Sequence, residues 1–323
     1  MYLDFYGLNA KPFNPAPDPE FLYLAPGHRV ALRQLVHGIH AHKGIIVVTG
    51  EVGTGKTTLL RALLPRLDGI TAVSLVVNPT LSFDELLECM RHDFGIAKAG
   101  ETRVERLATL DTFLGARRRA GQDTVVILDE AQNLDAATLE QVGLLSDLEA
   151  TADKRLQILL VGQPELGAKL ALPELGQLQQ RVGVRCGIGP LRPREARAYI
   201  RSRLRIAGAP DPGLFTERAV RRITAHARGI PRVINMVCGH CLLIGHAEQA
   251  RRIDADLVQR AISCLEEGAL PGREARGRGA RRVRARWALG AMAVGAVGML
   301  AALALQGGAL PHVLATVHAW WGR

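Results

Sequence analysis

At 323 residues the chain is long enough for a large core and a second, smaller unit. Its composition is ordinary for a globular protein apart from few aromatics and many glycines and arginines, and its five cysteines are mostly unpaired in spacing, which excludes a disulfide framework and fits a reducing compartment. The net charge is +10, but residues 273–286 hold seven arginines and one glutamate; that +6, with +1 from Arg323, leaves +3 for the rest, so the basic character belongs to one tract.

The N-terminal run MYLDFYGLNAKPF has an early Asp4 and no apolar h-region, which predicts no cleavable signal peptide. Pro12, Pro15, Pro17 and Pro19 predict an extended segment packed on the domain, followed by a helix from about His28 to His40. An apolar strand over 44–49 then delivers the chain to Gly50-Glu51-Val52-Gly53-Thr54-Gly55-Lys56-Thr57-Thr58, which opens a helix reaching about Leu67. This is the pattern of a phosphate cradle. Backbone N–H groups of the glycine-rich turn wrap an anion at a helix N-terminus, Lys56 reaches the outer phosphates, and the Thr57 hydroxyl would hold a magnesium ion. Only 6 of the 41 cationic residues are lysine, so a lysine at 56 suggests a need for a compact ammonium.

A strand over 71–77 and a helix from Ser82, with Glu85 completing a capping box, come next, and another helix spans about 102–119. The apolar strand Thr124–Leu128 ends in Asp129 and Glu130. Beside a phosphate site these acids have roles: Asp129 would support the magnesium shell and Glu130 would polarise the attacking water. A further strand, 156–161, ends at Gly162-Gln163, and its tip is expected beside the acids because ligands sit at the carboxyl ends of parallel strands; Gln163 is a candidate to hold the water or γ-phosphate. From Pro190 the pattern is helical, over about 193–207, 215–227, 231–247 and 254–266. The third of these opens with Pro231-Arg232, and such an arginine faces outward or reaches back over the nucleotide. Cys238 and Cys241 form a CxxC inside this helix, with no second pair to complete a metal set, and read as small buried residues.

Over roughly 1–266 these residues resemble the ATPases of the general secretion pathway protein A family, within the AAA+ class: FYGLNAKPFNPAPDPEFLYLAPGH at the start, GEVGTGKTT, LDEAQNL at 128–134, LVGQPEL at 160–166, LQQRVGVRC at 178–186 and GIPRVIN at 229–235. The resemblance implies an α/β, P-loop AAA+ (ASCE-type) parallel-sheet core over 1–189 and an all-helical lid over 190–267, binding ATP with Mg2+. It implies a homo-oligomeric ring or partial ring in which a neighbour completes each site. Gln163 is then the sensor on the fourth strand, Arg232 the lid arginine that feels the γ-phosphate, and Arg181 the finger supplied in trans, with Arg185 as its rival.

After an Arg-rich linker over 268–286, Trp287–Leu305 is 19 uncharged residues with no polar face, about 28 Å long as a helix, which predicts a transmembrane helix over 287–306. Arginines directly before it place the ATPase in the cytoplasm, at the inner membrane, in contact with anionic lipid. The tail over 307–323 has apolar residues at helical spacing and is too short for the peptidoglycan-binding region of longer family members, so a cell-wall task is expected to need a partner. The resulting expectation is a membrane-anchored ATPase that drives or regulates assembly of a type II secretion or pilus-type machine, with inner-membrane secretion or pilus-assembly proteins as partners. The alternatives are a DNA-associated ATPase of the transposition-targeting kind, using the arginine tract on phosphates, or an ATP-dependent switch with little hydrolysis.

Overall fold

A computed structural model describes residues 2–14, 19–67, 69–77, 80–97, 102–146, 155–211 and 213–267. Five strands form one parallel sheet in the order β2-β3-β4-β1-β5: β1 Ile45–Gly50, β2 Ala72–Val77, β3 Thr124–Asp129, β4 Leu156–Gly162 and β5 Val182–Ile188. The three central strands carry near-continuous Val, Ile and Leu because both faces are covered. Alternate side chains divide between the two faces. Val47, Val126, Leu128, Ile158 and Leu160 pack under helices α4 (Phe83–Asp93), α5 (Arg103–Arg119) and α6 (Ala136–Leu145). Val48, Ile127, Leu159 and Val161 pack under α2 (Pro26–His40) and α3 (Lys56–Leu63).

The strands and long helices fall where the sequence pattern puts them, within one to three residues, except that α3 ends at Leu63 rather than about Leu67, because Pro65 turns the chain into a single 3-10 turn over Leu64–Arg66. The capping box at Ser82 forms, and Thr102 with Glu105 makes a second at the start of α5. Three short helices, α6, α7 (Pro164–Leu170) and α8 (Gly176–Arg181), and the strand β5 are additions to that reading. The opening segment differs from expectation too. Tyr2–Tyr6 form a short helix, α1, where an extended segment is predicted, because the prolines begin only at Pro12 and leave this turn free to coil.

Helices α9 (Pro193–Ile206), α10 (Glu217–Ala227), α11 (Pro231–Ala247) and α12 (Ala255–Glu266) complete the described chain, and the N-terminal strap packs on them. Tyr6 Oη donates to the Ala250 carbonyl at 3.0 Å, the Asn9 amide to the Ala207 carbonyl at 2.8 Å, and the Arg251 guanidinium lies 4.2 Å from the centre of the Phe5 ring. The chain then returns through Phe21 to α2 and the sheet. Residues 2–14 and 19–28 thereby tie the helical part to the strand-helix part of one compact unit covering 1–263. The predicted linker, transmembrane helix and tail, at 268–286, 287–306 and 307–323, lie outside the described residues, among which no helix is long and apolar enough to cross a membrane.

Leu160, fully buried in the central strand, and Leu75, 38% exposed on the edge strand β2, give a direct check on the sheet. Leu160→Ala is expected to lower unfolding stability by about 2–5 kcal/mol and Leu75→Ala by less than about 1 kcal/mol in urea titration.

Candidate nucleotide site

The parallel register sets the site. β3 pairs with β4 through Asp129 and Val161, and β4 pairs with β1 through Gly162 and Thr49, so the carboxyl ends of three strands meet at one edge. The cradle emerges there. Gly53 and Gly55 hold φ of +80° and +104°, a region that disfavours any side chain, and they are also sites of close approach. A Cβ on Gly53 would lie 2.7 Å from the Cβ of Arg232, and one on Gly55 would lie 2.9 Å from Nε2 of His28.

Lys56 is buried and donates to the carbonyls of Gly50 (2.9 Å) and Glu51 (3.3 Å), so its ammonium is held at the mouth of the turn it would share with phosphate. Thr57 Oγ1 donates to Asp129 Oδ2 at 3.2 Å. Burial, with the adjacent Glu130 charge, raises the Asp129 pKa above the usual carboxylate value, despite hydrogen bonds from the Glu130 amide and the Thr57 hydroxyl and the nearby Lys56 charge. A buried carboxylate facing a hydroxyl fits a divalent cation of the magnesium type, which binds through one or two carboxylates and substrate phosphates. Glu130 behaves oppositely. Burial pushes its pKa up, but hydrogen bonds from Gln132 (2.7 Å) and Gln163 (3.2 Å) and the Lys56 charge outweigh it and the net shift is downward. Its backbone is left-handed, φ 59° and ψ 38°, a strained geometry for a non-glycine residue at the strand end.

Gln163 thus lies beside Glu130. Arg232, second residue of α11, is exposed, and its amide donates to the Gly53 carbonyl at 3.3 Å, which sets the start of that helix directly on the cradle. Arg181 is elsewhere. It precedes Val182, which pairs with Ile45 at the opposite end of β1 from Gly50, roughly 17 Å away along the strand. Arg185 pairs mid-strand with Val47, exposed on the same edge strand. Neither arginine is positioned on the chain's own cradle. Cys238 and Cys241 are fully buried in α11 with thiols pushed up by burial, Cys241 to about 12.

Three contributors were not read from the sequence. Gln132 sits two residues past Glu130; its amide donates to that carboxylate and its Oε1 accepts from the Gln163 amide at 3.0 Å, joining the tips of β3 and β4. Lys169 Nζ braces the same turn through the carbonyls of Gln132 and Leu134, both at 2.7 Å. His28 is 4% exposed, with Nε2 2.8 Å from the Thr54 carbonyl. Gln132 was visible in the LDEAQNL run, whereas His28 carried no signal apart from a helix start. A narrow cleft runs from Thr54, Gly55 and Thr58 to Phe21, Tyr23, Tyr199 and Arg203; at about 50 Å³ it has room for a few waters, and a base could enter only if its walls parted.

Burial lowers the His28 pKa below 6.5, against the hydrogen bond to Thr54 and the charge of Glu195. The folded state therefore binds the proton less well than the unfolded one, and the stabilisation is present above about pH 6.5 and declines as pH falls below it. His28→Gln should flatten the pH dependence of the thermal midpoint between about pH 7 and 5; an unchanged profile would remove His28 from the account.

Comparison with known proteins agrees with this geometry. Residues 39–170 match the AAA domain family. The chain is 39% identical over 271 residues to general secretion pathway protein A of Aeromonas hydrophila, covering 83% of this chain and 49% of that protein. It is 43% identical over 211 residues to type II secretion system protein HxcR of Pseudomonas aeruginosa, covering 65% of this chain and 35% of that one. The chain therefore spans half or less of the length of these relatives. The fold is similar to that of the ORC2 protein of Aeropyrum pernix, with a TM-score of 0.59 at 18% identity, covering 83% of this chain and 74% of that one. With its parallel sheet, its cradle and the acids at the end of β3, the chain carries an AAA domain over residues 39–170 and is related, over the 271 shared residues, to general secretion pathway protein A.

Proposed function

We propose that this chain is a membrane-anchored ATPase whose cycle drives or regulates assembly of an envelope secretion machine of the type II or pilus kind. The observation that carries the motor half is the meeting of Thr57, Asp129 and Glu130 at one sheet edge, beside the buried Lys56. The secretion half is supported by the relatives, and the anchor by the uncharged stretch at 287–306.

In this reading the amides of Gly53, Gly55 and Lys56 bind the phosphate chain, and the Lys56 ammonium leaves the Gly50 and Glu51 carbonyls to take the outer phosphates. Thr57 and Asp129 would hold magnesium, which when bound would supply neutralisation of charge on the phosphoryl oxygens. Glu130, a carboxylate at neutral pH and positioned by Gln132 and Gln163, polarises the attacking water and accepts its proton at Oε1 or Oε2. Gln132 and Gln163 fix the orientation of that carboxylate, and Gln163 shares the water or the γ-phosphate. Arg232, on a helix start seated against Gly53, senses the γ-phosphate from the lid over 190–267. Arg181, remote from its own cradle, serves the site of a neighbouring copy, which makes the working form an oligomer.

Glu130→Gln is expected to lower steady-state ATP hydrolysis by about 10²-fold or more while keeping ATP binding. Retained turnover would dismiss Glu130 as the base. Arg181→Ala should be inactive alone yet regain partial activity when mixed with Glu130→Gln; no rescue in mixtures shown to contain both subunits would reject Arg181 as the trans finger. The intact protein should sediment with membranes after lysis. Recovery as a soluble protein that binds DNA in a salt-sensitive way would favour the nucleic-acid alternative instead.

A further inference from the structure

α9 carries arginines at 194, 197, 201, 203 and 205, and Arg203 differs from the others in facing inward. It is 6% exposed. Its Nε donates to the Pro12 carbonyl of the N-terminal strap, and its Nη1 donates to the Tyr199 hydroxyl at 2.8 Å, which in turn donates to Asn235 Oδ1 of α11 at 2.9 Å. The guanidinium lies 5.0 Å from the centre of the Phe21 ring and 5.5 Å from that of Tyr199. Its Nη2 is buried and has no hydrogen-bond partner among the described residues. An unpaired donor on a buried cation is costly and calls for a partner, a water or a ligand, at that point.

The place of that donor suggests the ligand. Arg203 lines the cleft whose other end is Thr54, Gly55 and Thr58 of the cradle, with Phe21, Tyr23 and Leu191 along the walls. The aromatic faces of Phe21, Tyr23 and Tyr199, with the polar groups of Arg203, His28 and Thr58 beside a phosphate site, suit a flat heteroaromatic ring attached to phosphates once the walls part to admit it. Guanidinium has donors and no acceptor, so it selects a ring atom with a free lone pair. The ring nitrogens N1, N3 and N7 of adenine all offer one; guanine offers N3, N7 and O6, so such a donor detects the presence of a base rather than choosing between purines.

We propose that Arg203 is the base-contacting residue of this site, donating from Nη2 to a ring nitrogen of the adenine of bound ATP. This rests on the nucleotide reading given above. Because Nε and Nη1 are already committed to the strap and, through Tyr199 and Asn235, to α11, the base would join Pro12, Phe21, α9 and α11 through a single guanidinium. Base occupancy is then transmitted to the same helix that begins on Gly53. A guanidinium that merely pins the strap would make no distinction between a ligand with a base and one without.

That difference is the test. Equilibrium binding of ATP and of ribose 5-triphosphate, which keeps sugar and phosphates and lacks the base, is measured by calorimetry on the full chain and on Arg203→Lys. The variant is expected to bind ATP about tenfold more weakly and ribose 5-triphosphate as tightly as the parent. Equal loss for both ligands, or no loss for ATP, overturns the proposal and leaves Arg203 as a structural prop. Failure of the parent chain to bind either ligand overturns the nucleotide reading itself. Should Arg203→Lys not fold, Tyr199→Phe carries the same comparison, with a loss of about threefold confined to ATP because the guanidinium is no longer oriented from Nη1.

Discussion

The contact on which the rest depends is the one between Gly53 and the start of α11. There is no clearance for a methyl group between them: Arg232 contributes its Cβ on one side and its amide to the Gly53 carbonyl on the other. The positive φ of Gly53 is the backbone condition for that approach. The turn that is to wrap phosphate is therefore also the seat of a helix from the other half of the unit. Gly55 is held in the same way by His28, so both ends of the turn are fixed by residues outside it. A cradle preorganised by packing does not have to be ordered when the anion arrives.

From that contact the remaining arrangement follows. The parallel sheet brings the ends of β1, β3 and β4 to one edge, and the left-handed turn at Glu130 presents a carboxylate to Gln132 and Gln163. Two acids in sequence thereby take opposite electrostatic positions. Asp129 is buried against a like charge, which favours a bound cation, and Glu130 is held ionised by amide donors and the lysine, which favours a base. The N-terminal strap joins the two halves by a second route, through Pro12, Phe21 and His28.

Much of this was legible in the residues, for identifiable reasons. β1, β3 and β4 are buried on both faces and read as unbroken apolar runs, and the cradle and acids follow their ends directly. β5 was not legible as a strand: at the edge, its Val-Gly-Val-Arg-Cys-Gly-Ile mixes exposed glycines and an arginine with only two buried residues. α6, α7 and α8, of 10, 7 and 6 residues, are too short for their periodicity to stand out, and tertiary packing makes them. His28 and Arg203 owe their roles to long-range contacts, with Thr54 and Pro12 respectively, which no local pattern encodes.

The central claim is that phosphate binding and the position of the helical half are one equilibrium, coupled at Gly53. The most direct measurement is the distance distribution between labels at exposed Thr112 on α5 and exposed Arg218 on α10, with and without a non-hydrolysable ATP analogue. The account predicts a shift on saturation with the analogue that is absent in Lys56→Ala. A distribution that stays the same while the analogue is demonstrably bound would contradict it.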